Sequence, residues 1–106
     1  MPQVRLSARA QSDLSRLHKF LVIKDVNAAN RAMMTIRDAF LPLTNAPMIG
    51  RPVLDREELR ELIIDFGADG YLALYRFEPA LDALIIQAIK NRREDTYKYF
   101  QSSIGH

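Results

Sequence analysis

L-R-E-L-I-I-D-F-G-A-D-G-Y-L-A-L-Y-R-F, residues 59–77, decides the architecture. Its first eight residues repeat with period two: Arg60, Leu62, Ile64 and Phe66 point one way, and Leu59, Glu61, Ile63 and Asp65 the other. Alternation of this kind is the signature of a strand, whose successive side chains leave opposite faces. Gly67-Ala68-Asp69-Gly70 is a turn signal, and Tyr71–Phe77 then reads as a second, antiparallel strand. Pairing Phe66 with Tyr71 sets Ile64 against Ala73, Leu62 against Tyr75 and Arg60 against Phe77. On the reverse face Asp65 then meets Leu72, Ile63 meets Leu74, and Glu61 meets Arg76.

Downstream, Pro79 closes the second strand and Leu84–Ile89 supplies a third, completing a meander. Arg92–Phe100 suits a short terminal helix. Upstream, residues 45–58 carry Pro47, Gly50 and Pro52 and read as a loop. Before them the period changes. Ala10, Leu14, Leu17 and Leu21 recur at helical spacing, as do Ala29, Met33, Ile36 and Phe40. Ser7 caps the first run; Asp25 and Asn27 break the chain and cap the second; Pro42 and Pro47 bracket its end. Two helices joined so closely run antiparallel, so residues 8–42 form a helical hairpin. Residues 3–7 alternate and make a short first strand. The expected fold is α+β, in the order β-α-α-β-β-β: an N-terminal strand and an antiparallel helical hairpin packed on a C-terminal antiparallel sheet.

Both faces of that sheet are apolar, and one helical hairpin covers only one of them. The uncovered face holds either Ile63, Leu72 and Leu74 or the Tyr71/Tyr75 set. Uncovered apolar sheet is either an interaction surface for another polypeptide or the seat of the C-terminal segment with Tyr97, Phe100 and Ile104.

Composition bounds the function. The chain has 106 residues, enough for one domain. Its formal charge of +2 is smaller than a protein living on phosphate contacts usually carries. Without cysteine it has no disulfide and no thiolate metal site, and His18 and His106 are too scattered to hold a metal. No cofactor motif is present. The N-terminus lacks the pattern of a signal peptide, and no stretch approaches the ~20 apolar residues of a membrane span.

The ordered set G-R-P at 50–52, L-R-E-L-I-I-D-F at 59–66, G-Y-L-A-L-Y-R-F at 70–77 and L-I-I-Q-A-I-K-N-R-R-E-D-T-Y at 84–97, with A-x-x-D-L at Ala10, Asp13 and Leu14, resembles the RelE/ParE superfamily of bacterial toxin–antitoxin and plasmid-stabilisation systems. The resemblance spans nearly the whole chain. It implies a cytoplasmic toxin wrapped by a cognate antitoxin in a hetero-oligomer. RelE-like members cut messenger RNA on the ribosome; ParE-like members poison DNA gyrase. The helical hairpin and the Y-x-x-x-Y-R-F strand look more like the ParE branch. Many relatives carry a histidine near the end of the last strand, where this chain has Asn91, so gyrase is the expected target and cleavage on the ribosome the alternative.

Cleavage needs a base for the 2′-hydroxyl, an acid for the leaving oxygen and cations for the phosphorane charge. Tyr97 and the cations before it, Lys90 and Arg92, resemble the C-terminal catalytic cluster of RelE-like toxins, and Arg60, without an evident partner, would join them, although an unshifted tyrosine or lysine titrates at about 10. For target binding the candidates are Arg51, Arg60, Arg76, Lys90, Arg92 and Arg93. Arg60 has no evident partner, Arg76 faces Glu61, and the strand-end run Lys90–Arg93 is either a solvated charge run, the commoner case, or a set of cations converging on Arg60. Ile63, Leu72 and Leu74 are the candidates for antitoxin binding.

Overall fold

A computed structural model describes residues 1–93. Strand β1 (Gln3–Leu6) leads into helix α1 (Ala8–Val22) and helix α2 (Val26–Ala39). Strands β2 (Arg51–Val53), β3 (Arg56–Ile64), β4 (Tyr71–Glu78) and β5 (Ala83–Asn91) follow, in the spatial order β1-β5-β4-β3-β2. The expected α+β order is present, as a five-stranded mixed sheet in which β1 lies parallel to β5. The terminal helix expected over 92–100 lies mostly outside the described residues; Arg92 and Arg93 form a turn.

Both helix starts follow from their caps. The Ser7 hydroxyl accepts the Ala10 N–H at 3.0 Å, and the Asp25 carboxylate accepts those of Asn27 and Ala28. Ala10 and Leu17 of α1 and Ala32, Ile36 and Phe40 around α2 pack on Ile64, Tyr71, Ala73, Tyr75, Leu84, Ile86 and Ile89. The Tyr71/Tyr75 face therefore lies under the helices. A smaller cluster of Val53, Leu59, Leu74 and Ala88 occupies the reverse face.

Strand β5 is irregular where it meets β4. Leu74 pairs with Ala88 and Tyr75 with Ile86, so Gln87 is an extra residue. A bulge frees ladder groups, and α1 satisfies them. The Ser7 hydroxyl donates to the Gln87 carbonyl at 3.0 Å, and the Asp13 carboxylate accepts the Ile89 N–H at 2.9 Å. The A-x-x-D-L pattern thus fastens the first helix to the last strand.

Two expectations are corrected. The hairpin register is shifted by two residues: Ile64 pairs with Tyr71, Leu62 with Ala73, and Glu61 with Leu74. The connection is longer than the glycine pair suggests, because Asp65 and Phe66 leave the ladder and the Phe66 carbonyl accepts the Gly70 N–H at 2.8 Å. An even shift keeps every side chain on its face, so the predicted face sets survive. Second, part of the expected loop is β2, joined to β3 by a tight turn with Asp55 at φ 63°. Pro52 is admissible there because β2 is an edge strand, where a missing N–H breaks no ladder bond.

Candidate functional site

The sheet pins the chain entering β2. Tyr75, fully buried, donates its hydroxyl to the Pro47 carbonyl at 2.8 Å and accepts the Gly50 N–H at 2.8 Å. Arg60 lies beside it in the ladder, and its Nη1 donates to the Met48 and Gly50 carbonyls at 2.9 and 2.8 Å. Arg60 is therefore not the unpartnered cation its position suggests; its guanidinium ties down residues 48–50. Its Nε is buried without an acceptor among the described residues. Burial pushes the Tyr75 hydroxyl above the ordinary tyrosine range, against the opposing pull of the Gly50 N–H and Arg60. Burial also raises Tyr71. Neither is shifted in the direction a general base at neutral pH would need.

The other cations do not gather around Arg60. Because β5 runs antiparallel to β4, and β4 to β3, the end of β5 lies beside the β3–β4 turn and not beside the start of β3. There Arg92 approaches Asp65 at 3.6 Å, Arg93 approaches Asp69 at 3.2 Å, and the Arg92 N–H donates to the Gly70 carbonyl at 3.0 Å. Lys90 pairs with Leu72, which puts it on the reverse face of the sheet from Arg60, offset by three residues of β4, roughly 10 Å along the strand. Arg76 does not face Glu61; it binds Glu78 of its own strand at 2.6 Å. Glu61 is buried opposite Leu74, with Arg51 at 3.6 Å and one carboxylate oxygen unpartnered among the described residues. Near Arg76, the Arg56 guanidinium hydrogen-bonds Glu58 at 2.8 Å and holds that carboxyl below its usual range. Tyr97 lies outside the described residues. The convergence of Arg60, Lys90 and Arg92 is not formed.

The apolar surfaces also differ from expectation. On the reverse face Leu72 and Leu74 are 9% and 7% exposed, and only Ile63, at 36%, stands open. A more continuous apolar surface lies at the opposite edge. There β1 and α2 enclose a groove of about 470 Å³ lined by Val4, Leu6, Leu14, Met33, Met34, Phe40 and Leu41. β1 is the outermost strand on that side. Residue-by-residue periodicity missed this groove because Met34 and Leu41 fall off the core stripe of α2. An off-stripe methionine beside an edge strand was the signal available. Among the described residues no group of three or more His, Cys, Asp and Glu side chains could hold a metal ion, and no helix is long and apolar enough to cross a membrane.

Residues 4–96 match a family model described as ParE toxin of type II toxin–antitoxin system, parDE. Toxin RelE3 of Caulobacter vibrioides is 35% identical over 94 residues, which cover 89% of this chain and 98% of the relative. Toxin RelE1 of the same organism is 40% identical over 73 residues, covering 69% and 76%. Among solved structures, a chain of the chromosomal ParDE system from P. aeruginosa superposes with a TM-score of 0.71 at 20% identity, covering 86% of this chain and 96% of that one. The isolated E. coli RelE toxin does so with a TM-score of 0.62 at 10% identity, covering 99% and 100%. At these identities the structural likeness is one of fold.

Proposed function

The chain belongs to the ParE toxin family of type II toxin–antitoxin systems, and we propose that it stops growth in the bacterial cytoplasm by poisoning DNA gyrase through protein contact. The carrying observation is the dispersal of its cations. Ribosomal messenger cleavage requires several cations and a base around one scissile phosphate. Here Arg60 is occupied by loop carbonyls, Arg92 and Arg93 sit at the far turn beside aspartates, and Lys90 is on the other face. Surface ion pairs such as Arg92–Asp65 and Arg93–Asp69 are weak, worth about 0–1 kcal/mol, so these two arginines remain available to bind an acidic protein surface, whereas Arg51 is held by the buried Glu61 and Arg76 by Glu78. What the cations lack is convergence.

We assign the antitoxin to the groove between β1 and α2, in preference to the reverse sheet face. Three features support this placement: its apolar lining, its position against an edge strand, and the burial of Leu72 and Leu74 elsewhere. An extended segment can add to an edge strand through main-chain hydrogen bonds while its side chains enter an adjoining groove. Ile63, the most exposed of the three reverse-face candidates, lies on β3, three strands from β1, and falls outside that contact. The complex is a hetero-oligomer of toxin and antitoxin.

A second reading rests on the names of the curated relatives, both of which are RelE toxins. In it the chain cuts messenger on the ribosome, with Arg60, Lys90, Arg92 and Tyr97 brought together only there. Incubating the purified chain with gyrase and supercoiled plasmid tests the first reading. Trapped double-strand breaks are expected; untouched plasmid, alongside messenger cut on programmed ribosomes, would move the assignment to the second.

A further inference from the structure

One end of the helical hairpin is rich in cations. Residues 16–31 carry Arg16, Lys19, Lys24 and Arg31 and one carboxylate, Asp25, in a chain whose total formal charge is only +2; Arg16 also pairs with Asp13 at 3.7 Å, which leaves Lys19, Lys24 and Arg31 as the main cations of the tip. The Asp25 carboxylate is already committed, since one of its oxygens accepts the Asn27 and Ala28 N–H groups at 2.9 and 3.1 Å. Between the cations stand large apolar side chains that the fold does not bury: Phe20 is 57% exposed, Ile23 85% and Val26 56%. The Lys24 ammonium sits 4.3 Å over the Phe20 ring, so a cation is held against the apolar knob. A helix connection needs none of these residues for its own stability, and polar ones would serve it better.

The tip is also separate from the surfaces already described. α1 is fastened to β5 at Asp13, and its last nine residues run on for about 14 Å beyond that point. The antitoxin groove uses the other end of α2, where Met34 lies about 12 Å along the helix from Val26. A segment seated in the groove leaves the tip uncovered.

We propose that this tip is the contact surface for the target, and that it enters an apolar pocket of a protein whose rim carries carboxylates. The inference rests on the reading that the target is a protein. Its layout is an apolar centre with a charged rim, which is the anatomy of a protein–protein contact; a phosphate-binding surface would put its cations at the centre.

Two variant pairs test the proposal: Phe20→Ser with Ile23→Ser, and Lys19→Glu with Lys24→Glu. Each is induced in cells with growth arrest as the readout, and each is co-expressed with the antitoxin for co-purification. Each pair is expected to require about tenfold more toxin for arrest, the loss of one anchor of about 1.4 kcal/mol, with melting temperature and antitoxin co-purification unchanged. Full arrest by either pair overturns the proposal. So does loss of arrest accompanied by loss of antitoxin binding, since the tip would then serve the antitoxin or the fold. Tip-dependent flotation of the purified chain with phosphatidylglycerol vesicles would overturn it in favour of a lipid surface. Growth arrest does not presuppose gyrase. If gyrase is untouched while the tip variants lose arrest, the gyrase assignment fails; the tip then stands as the surface for another protein target if messenger on programmed ribosomes is also uncut, and falls with the protein-target reading if messenger is cut.

Discussion

Tyr75, Arg60 and Gly50 form one knot. A single buried hydroxyl joins a carbonyl and an N–H from residues 47 and 50, and Arg60 takes the carbonyls of residues 48 and 50. Tyr75→Phe leaves the Pro47 carbonyl and the Gly50 N–H unpaired, and is expected to cost about 1–3 kcal/mol in urea unfolding. Gly50→Ala should cost more. A Cβ there would lie 2.6 Å from a Tyr75 ring carbon and 2.7 Å from the Glu61 carbonyl oxygen, so the strand pair itself would have to move. The tyrosines also set an alkaline limit. Burial raises both Tyr71 and Tyr75, so the folded state holds their protons more tightly than the unfolded chain does. Their contribution is complete below the unfolded tyrosine value of about 10 and is lost as pH rises through the folded values. Chemical denaturation across alkaline pH should show stability falling above pH ~10, with a shallower fall in the Tyr71→Phe variant.

At the scale of elements, the bulge at Gln87 explains why α1 carries an aspartate on its inner side. Asp13→Ala removes the acceptor of the Ile89 N–H and should destabilise the chain by about 1–3 kcal/mol, with early hydrogen exchange confined to the second half of β5. Asp55 sits in the left-handed region at φ 63° in the β2–β3 turn. Asp55→Gly relieves an unfavourable conformation there, so a gain of up to about 1 kcal/mol in urea unfolding is expected. The helices and their core stripes were legible in the sequence because period and caps agree, with Ser7 and Asp25 marking both starts. The faces of the hairpin were legible for the same reason, since parity survives an even slip. The register was not, because Asp65 and Phe66 look like strand residues while their backbone belongs to the turn. β2 was hidden by Pro52, which reads as a loop unless the strand is known to lie at an edge. The cation cluster was misjudged because proximity of strand ends depends on strand direction. The antiparallel order sends Arg92 and Arg93 to the turn and leaves Arg60 in mid-strand.

At the scale of the whole molecule, function divides among surfaces. On the proposed readings, the groove at the β1 edge takes the antitoxin and the hairpin tip takes the target, while the described sheet cations Arg60, Arg76, Arg92 and Arg93 pair with carboxylates and carbonyls and do not converge. On this account the arginines at the end of β5 are not chemical groups. Arg92→Ala with Arg93→Ala should change stability by less than about 1 kcal/mol and leave ribosome-programmed messenger as intact as it is with the unaltered chain. The central claim is that arrest comes from contact with gyrase and not from RNA cleavage. It is tested most directly by sampling one arrested culture for both lesions, with chromosomal double-strand breaks resolved by pulsed-field electrophoresis and new messenger 5′ ends mapped by primer extension. Fragmented chromosome with unbroken messenger is the predicted result; unbroken chromosome with messenger cut at the ribosomal A site would contradict it.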